Sequence, residues 1–426
     1  MAVKSVYPQK GARAGKAVKK GRTTVRKNAS SYRNTRRPVG ARKSSGLNLR
    51  RFLHNIFRQR EGAGEMDYTF LLLVSVLTIF GLIMLLSAST PTASVKFKNS
   101  YHFFIRQFAF VAAGFGFMLI FANVDYRRFK PFVNLFYLIC VGLLICVFLP
   151  IIGVSLNGSR RWINLGFMNF QPSELAKLSV AMFYALRIEE KRYDLNKPKE
   201  LIISALWVGV IAGLMMCETH LSGTIVICSI AFCIMLIGGA NLPTIFVGGG
   251  VVGALGYVYL NLDPVRWARV LSYRNPFADR QGTGYQTIQS LYAIGSGGIF
   301  GKGLGQSVQK FSYLPEPYND FIFSIVCEEL GLLGAGFIIL LFAFLVIRGF
   351  KIAMEAPDKF GLLTVVGIMT QIAVQTLLNI SVATSSVPNT GVSLPFFSYG
   401  GTAVMILLAQ MGIVLNISRY STKNIS

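Results

Sequence analysis

"LPEPYNDFIFSIVCEELG", residues 314–331, is the stretch on which the reading of the chain turns. It places four carboxylates, Glu316, Asp320, Glu328 and Glu329, at the start of a long apolar run and supplies no basic side chain to neutralise them. The surroundings make that unusual. Of the 426 residues 53% are hydrophobic and only 14% charged, while the formal net charge is +25. Soluble domains carry about 25% charged residues. Apolar runs of the roughly 20 residues needed to cross about 30 Å of hydrocarbon recur along most of the chain. The chain therefore reads as an all-α polytopic membrane protein, and acids at the mouth of a membrane helix need a purpose.

Working outward, ten helices are expected near 68–88, 103–122, 131–151, 172–188, 201–217, 222–238, 243–260, 321–347, 360–384 and 399–417. A large loop, 261–320, separates the seventh from the eighth. The first 60 residues hold 18 Lys or Arg and no Asp or Glu. Such a segment cannot bury a core, so 1–65 reads as a disordered basic tail with no signal peptide in it. Its expected partner is the anionic cytoplasmic leaflet rather than nucleic acid. By the positive-inside rule the tail puts the N-terminus in the cytoplasm. The basic turns "DYRRFK" (125–130), "RIEEKRYDLNKPKE" (187–200) and "IRGFKIAMEAPDK" (347–359) then fall on the same side, as does the C-terminus. The six cysteines lie in or beside apolar runs, with no zinc or disulfide spacing, and read as small buried hydrophobes.

Four segments carry possible chemistry, and on this topology all four lie at the outer face. In the opening stretch, Pro315 and Pro317 keep the chain out of helix. Asn319 or Asp320 reads as an N-cap of the eighth span. Asp320 reads equally as a carboxylate whose proton affinity is raised by desolvation toward general-base duty. "QPSELAKL" (171–178) sets Glu174 and Lys177 three apart on one helix face, as an ion pair that lowers the burial cost of both. Just upstream, Arg160 and Arg161 in "NGSRRWINLG" are basic residues on the wrong side of the charge rule, so an anionic ligand is expected; Trp162 adds an aromatic face. "YAIGSGGIFGKGLGQS" (292–307) follows no strand and is not a nucleotide fingerprint; its glycines let backbone approach another segment closely. "VPNTGVSLPFFSYGGTA" (387–403) specifies irregular backbone, tolerated at membrane depth where protein covers it. Together these groups suit a substrate with a lipid tail and a phosphorylated polar head.

The same motifs, in this order and over residues 66–420, resemble the SEDS family (shape, elongation, division and sporulation). The motifs are "NGSRRWINLG", "FQPSELAK", "HLSGT", "YQTIQSLYAIGSGGIFGKGLGQS", "YLPEPYNDFIF…EELG" and "GVSLPFFSYGG". Ser159 with Arg160, and "SVQKFSYLPEP" at 307–317, resemble the division and sporulation branches more than the elongation branch. The resemblance implies ten spans and polymerisation of lipid II into β-1,4-linked peptidoglycan glycan strands with release of undecaprenyl pyrophosphate. It implies that Asp320 is the essential acid and that Glu174, Lys177, Arg161 and Trp162 belong to the site, with Arg160, Arg161 and Lys177 candidates for the pyrophosphate charge. Asp320 would act as base, or orient the acceptor hydroxyl or a divalent cation, Mg²⁺ or Mn²⁺, held partly by substrate phosphates. No organic cofactor is expected. A class B penicillin-binding transpeptidase and other divisome proteins are the implied partners. The chain departs from the family at Tyr318-Asn319, where His-Thr is usual. A lipid II flippase and a non-catalytic divisome scaffold are the rival readings.

Overall fold

The computed structural model describes residues 63–150, 152–156, 159–166, 168–190, 197–261, 267, 273–282 and 284–421. The basic tail up to residue 62 and most of 262–272 lie outside the described residues. Each of the ten expected stretches holds a helix, although the third, expected to 151, ends at Cys146 with turns over 147–150. The helices are α1 (Tyr68–Phe97), α2 (His102–Asn123), α3 (Val133–Cys146), α4 (Pro172–Glu189), α5 (Pro198–Cys217), α6 (Leu221–Ile237), α7 (Leu242–Asn261), α9 (Ile322–Met354), α10 (Lys359–Ala383) and α11 (Gly401–Ser418); a further helix, α8 (Tyr285–Gly297), lies in the large loop. Among the described residues six helical segments are long and apolar enough to cross a membrane: α1, α2, α3 with the 3-10 turn before it (Tyr126–Cys146), α9, α10 and α11.

The expectation of an all-α chain is corrected in one place. Residues 153–170 form a small antiparallel sheet, β1 (Gly153–Leu156), β2 (Ser159–Asn164) and β3 (Asn169–Phe170), in the order β1-β2-β3. Trp162 faces Val154 across the first pair. A second correction concerns α1. It runs nine residues past the predicted end at 88, through Pro91, to a left-handed C-cap at Lys98. Apolar content stops there before helical geometry does.

Burial sorts the helices. In α10 and α11 the apolar stretch is 72% and 78% buried within the protein, against 22–39% for the other four apolar segments. α10 and α11 are thus core, and the others turn apolar faces outward. α10 packs on α9, α4 and α6, and α11 lies along α2. That last pair is close because Gly412 sits against the Met118 backbone, where a Cβ would have no room. α4 is buried over nearly its whole length although it is the least apolar of the ten, so it is held by partners rather than by lipid.

One end of the bundle is clamped by charge. Asp67 caps α1 by accepting from the Phe70 N–H (2.9 Å) and pairs with Arg348 of α9 (2.7 Å). Asp358, the N-cap of α10, takes Arg127 (2.9 Å), and Lys130 pairs with Glu189 at the end of α4 (2.6 Å). Since α9 runs from residue 322 to 354 at about 1.5 Å per residue, Asp320 lies at the other end.

α9 is not one helix. Gly331 is non-helical (φ 67°, ψ −170°) and divides it into a short segment and a long one. The glycine-rich segment fills the break: the Lys302 and Gly303 N–H groups donate to the Glu328 and Glu329 carbonyls (3.0 and 2.9 Å), and the Leu332 N–H donates to the Gly298 carbonyl (2.9 Å). Gly297, Gly301 and Gly331 all face opposing backbone at distances no side chain would tolerate. The glycines therefore serve the close segment-to-segment approach expected of them.

Candidate active site

The segment 314–320 is fixed before its acid is considered. Leu314, Tyr318 and Phe321 are buried, and the Tyr318 ring stacks on Phe103 of α2 (4.6 Å between centroids). The loop after α10 is stapled to it. The Tyr399 N–H donates to the Tyr318 carbonyl (2.9 Å), and Ser398 Oγ donates to the Asn319 carbonyl (2.7 Å). Asn379 of α10 donates to the carbonyls of both Asp320 (2.8 Å) and Val392 (2.6 Å). The capping role expected of Asn319 or Asp320 is not used. Phe321 is the N-cap of α9, with no side-chain cap bond, and the Asn319 amide donates instead to Glu316 Oε2 (2.9 Å). Tertiary partners have taken the polar groups that a free helix start would have recruited.

Asp320 is therefore left with its carboxylate for other work. Gly391, at φ 68°, sits against it: a Cβ there would lie 3.3 Å from Oδ2. Ser222 at the start of α6 donates to the Gly391 carbonyl (3.3 Å). Burial pushes the Asp320 pKa up to about 6; neighbouring Glu316 raises it further and Arg161 lowers it.

Arg161 reaches in from β2. Its Nη2 donates to the Thr219 carbonyl (2.5 Å) in the turn between α5 and α6. Its charge acts on Asp320, Glu218 and His220 alike. Glu218 is 1% exposed and burial pushes its pKa up to about 8 against the pull of Arg161. Burial, then Arg161 and Lys177, hold His220 well below the usual imidazole value, so it is neutral. Lys177 Nζ lies 2.7 Å from each carboxylate oxygen of Glu174, and both side chains are buried. The i,i+3 pair is thus formed as the spacing predicts.

The predicted residues do not all converge. Asp320 and Arg161 share one electrostatic neighbourhood, and Lys177 joins it through His220. Arg160 is exposed, and Trp162 is half-buried on the sheet. Sequence reasoning missed Glu218, His220, Ser222 and Asn379. A signal for the first two was present: "ETH" at 218–220 interrupts two apolar runs, and a Glu and a His between membrane helices are as costly as those in the opening stretch.

Glu328 and Glu329 are buried but satisfied. Lys302 (2.7 Å), Ser307 and the Val308 N–H (3.1 Å) serve Glu328; Lys310 (2.8 Å) and Ser87 (2.6 Å) serve Glu329. The cations missing from the opening stretch come from the glycine-rich segment, as Lys302, and from Lys310 just after it. Among the described residues no group of three or more His, Cys, Asp or Glu could hold a metal ion. Asp320 with Glu316 nearby is a donor set of the kind that holds a hard cation only jointly with substrate phosphates.

The chain is similar in sequence and in fold to known proteins. Stage V sporulation protein E of Bacillus subtilis is 43% identical over 357 residues, covering 83% of this chain and 97% of that protein. A probable peptidoglycan glycosyltransferase FtsW of Geobacter sulfurreducens is 36% identical over 354 residues, covering 83% and 95%. Among solved structures, a chain from a peptidoglycan synthase complex that coordinates polymerization and crosslinking matches at TM-score 0.68 and 28% identity, covering 83% of this chain and 98% of that one. A mutant form of the rod shape determining protein RodA of Thermus thermophilus matches at TM-score 0.64 and 25% identity, covering 84% and 98%. The profile of the cell cycle protein family FTSW_RODA_SPOVE matches residues 67–423, and with relatives of this identity and coverage the chain belongs to that family, the SEDS proteins.

Proposed function

We propose that the chain is a peptidoglycan glycosyltransferase that polymerises lipid II into β-1,4-linked glycan strands during septal wall synthesis. The names of its relatives support the reaction class. The observation that carries the assignment is Asp320: a half-buried carboxylate with raised proton affinity, between an arginine and a glycine that leaves room beside it.

In this reading the 4-hydroxyl of the acceptor sugar attacks the anomeric carbon of the donor. Asp320 accepts the hydroxyl proton as the new C–O bond forms. The bond from the anomeric carbon to the pyrophosphate oxygen breaks, and undecaprenyl pyrophosphate leaves with the electron pair. Arg161 faces the charge that develops there, with Arg160 on the exposed side of the sheet and Trp162 as an apolar face for sugar or lipid. Lys177 is engaged by Glu174 and acts on the site through its field at His220. A divalent cation, Mg²⁺ or Mn²⁺, held by Asp320 and substrate phosphates, would supply neutralisation of phosphate charge when bound.

The full topology belongs to the same proposal: ten spans, both termini cytoplasmic, and the site with the loop 261–320 on the outer face of the bacterial cytoplasmic membrane. The partners are a class B penicillin-binding transpeptidase, other divisome proteins and, for the basic tail, anionic lipids. The test is purified protein in sealed proteoliposomes with lipid II and its cognate transpeptidase, read for glycan strands and for transbilayer movement of lipid II. Strands are expected. Their absence, with lipid II instead crossing a bilayer, would replace the transferase by a transporter.

A further inference from the structure

We propose that the turn Glu218–Thr219–His220 is the holder of Arg161, and that Glu218 is the positioning residue that sets how much of the arginine's charge is available to a phosphate group at the site. The proposal rests on the assignment of Arg161 to that site. Three observations carry it. First, Thr219 is a β-branched residue held at φ 57°, a conformation such residues avoid. The carbonyl of this strained residue is the one that receives Arg161. Second, both carboxylate oxygens of Glu218 are buried with no hydrogen-bond partner, and so is Nδ1 of His220. An acid in that state is costly. Third, the charge of Arg161 reaches Glu218, His220 and Asp320 together, so the guanidinium has more than one acid to answer to.

The charged groups acting on the turn are Arg161 from β2 and Lys177, with its partner Glu174, from α4; Asp320, from the segment before α9, shares Arg161 with it. Within the turn, His220 is neutral. Burial keeps Glu218 protonated up to about pH 8. While neutral it does not compete for Arg161, whose charge then faces the site. Once ionised it draws the guanidinium to itself, and phosphate binding weakens. By linkage, the phosphate group and the Glu218 proton must favour one another reciprocally.

The experiment measures binding of undecaprenyl pyrophosphate to the full chain in nanodiscs from pH 6.5 to 9.5, separately from polymerisation. Wild-type affinity should fall about fivefold or more above pH 8. E218Q, which mimics the neutral acid, should show less than about a twofold fall over the same range. R161A, which leaves Glu218 in place, should bind weakly and without the alkaline fall. An alkaline fall retained in E218Q or in R161A overturns the proposal, and the R161A arm decides even if E218Q does not fold. Failure of wild-type protein to make glycan while the binding pattern holds would overturn the transferase reading and leave this one standing.

Discussion

Glu328 and Glu329 on one side of the site, and Glu218 and Asp320 on the other, are acids in the same bundle treated in opposite ways. The first two are buried and saturated: each has a lysine within 2.8 Å, a serine and a backbone N–H. Glu218 is as deeply buried, and neither oxygen of its carboxylate has a hydrogen-bond partner. Asp320 spends its main-chain carbonyl on Asn379 and keeps its carboxylate toward Gly391. Burial alone therefore does not mark a functional acid. Saturated acids join segments; acids left short of donors have raised proton affinity and can exchange protons at neutral pH.

The sharpest way to break that comparison is Asp320→Asn. If its carboxylate is chemical rather than structural, the rate of glycan polymerisation should fall by about 10²–10⁴-fold, the usual worth of a general base. Thermal stability should stay near wild type, because the bond from Asn379 goes to the main chain. A near-normal rate would move Asp320 into the class of Glu329.

Lys310→Met tests the opposite member. It strands Glu329, which is 1% exposed, and should cost about 3–5 kcal/mol in detergent-solubilised unfolding. Adding Glu329→Leu should recover most of that loss, since no charge is then left alone. A stability loss that the second change does not recover would show that Glu329 does more than pair.

Glu174 and Lys177 sharpen the comparison from within the site. Each single change to Ala should impair stability or polymerisation, and the double mutant should be better than additive by about 0.5–3 kcal/mol in unfolding. Stability that recovers without activity would give Lys177 a part in phosphate binding. Fully additive stability effects would reject the pair.

The smallest expected effect is on pH. Polymerisation should lose about tenfold per unit below about pH 6, as Asp320 gains its proton. Its raised pKa means that the folded protein binds more protons than the unfolded chain between 3.8 and about 6. Its contribution to stability is therefore present below that window and lost as pH rises through it. A rate that stays flat down to pH 5 would exclude Asp320 as the titrating base.

Much of the site was legible because membrane burial makes charge expensive. Asp320, Glu174 with Lys177, and Arg161 stand out in an apolar chain for that reason, and the i,i+3 spacing names one partner outright. What was not legible depends on tertiary approach. Lys302 and Lys310 precede their acids by 26 and 19 residues and meet them where glycine backbone fills the break in α9. The N-cap expected at Asn319 or Asp320 gave way to bonds from Asn379 and Ser398. The end of α1 was hidden because "STPTASVKF" (89–97) loses its apolar character while remaining helical. The hairpin of β1 and β2 had a signal that was passed over, the Asn157-Gly158 pair between two short alternating stretches.

The interruption at Gly331 has a mechanical consequence. Residues 322–330 form a rod of about 14 Å at 1.5 Å per residue, with Asp320 just beyond its N-terminal tip and the glycine contact at its foot. The foot is a fulcrum. Over that length a tilt of a few degrees would carry the acid through about 1 Å, the scale of misplacement that costs a reaction about a hundredfold, and the bonds from Asn379, Ser398 and Tyr399 are what resist it. The glycine contact at the foot and the staples at the tip thus hold the short rod at both ends, independently of the long half of the helix.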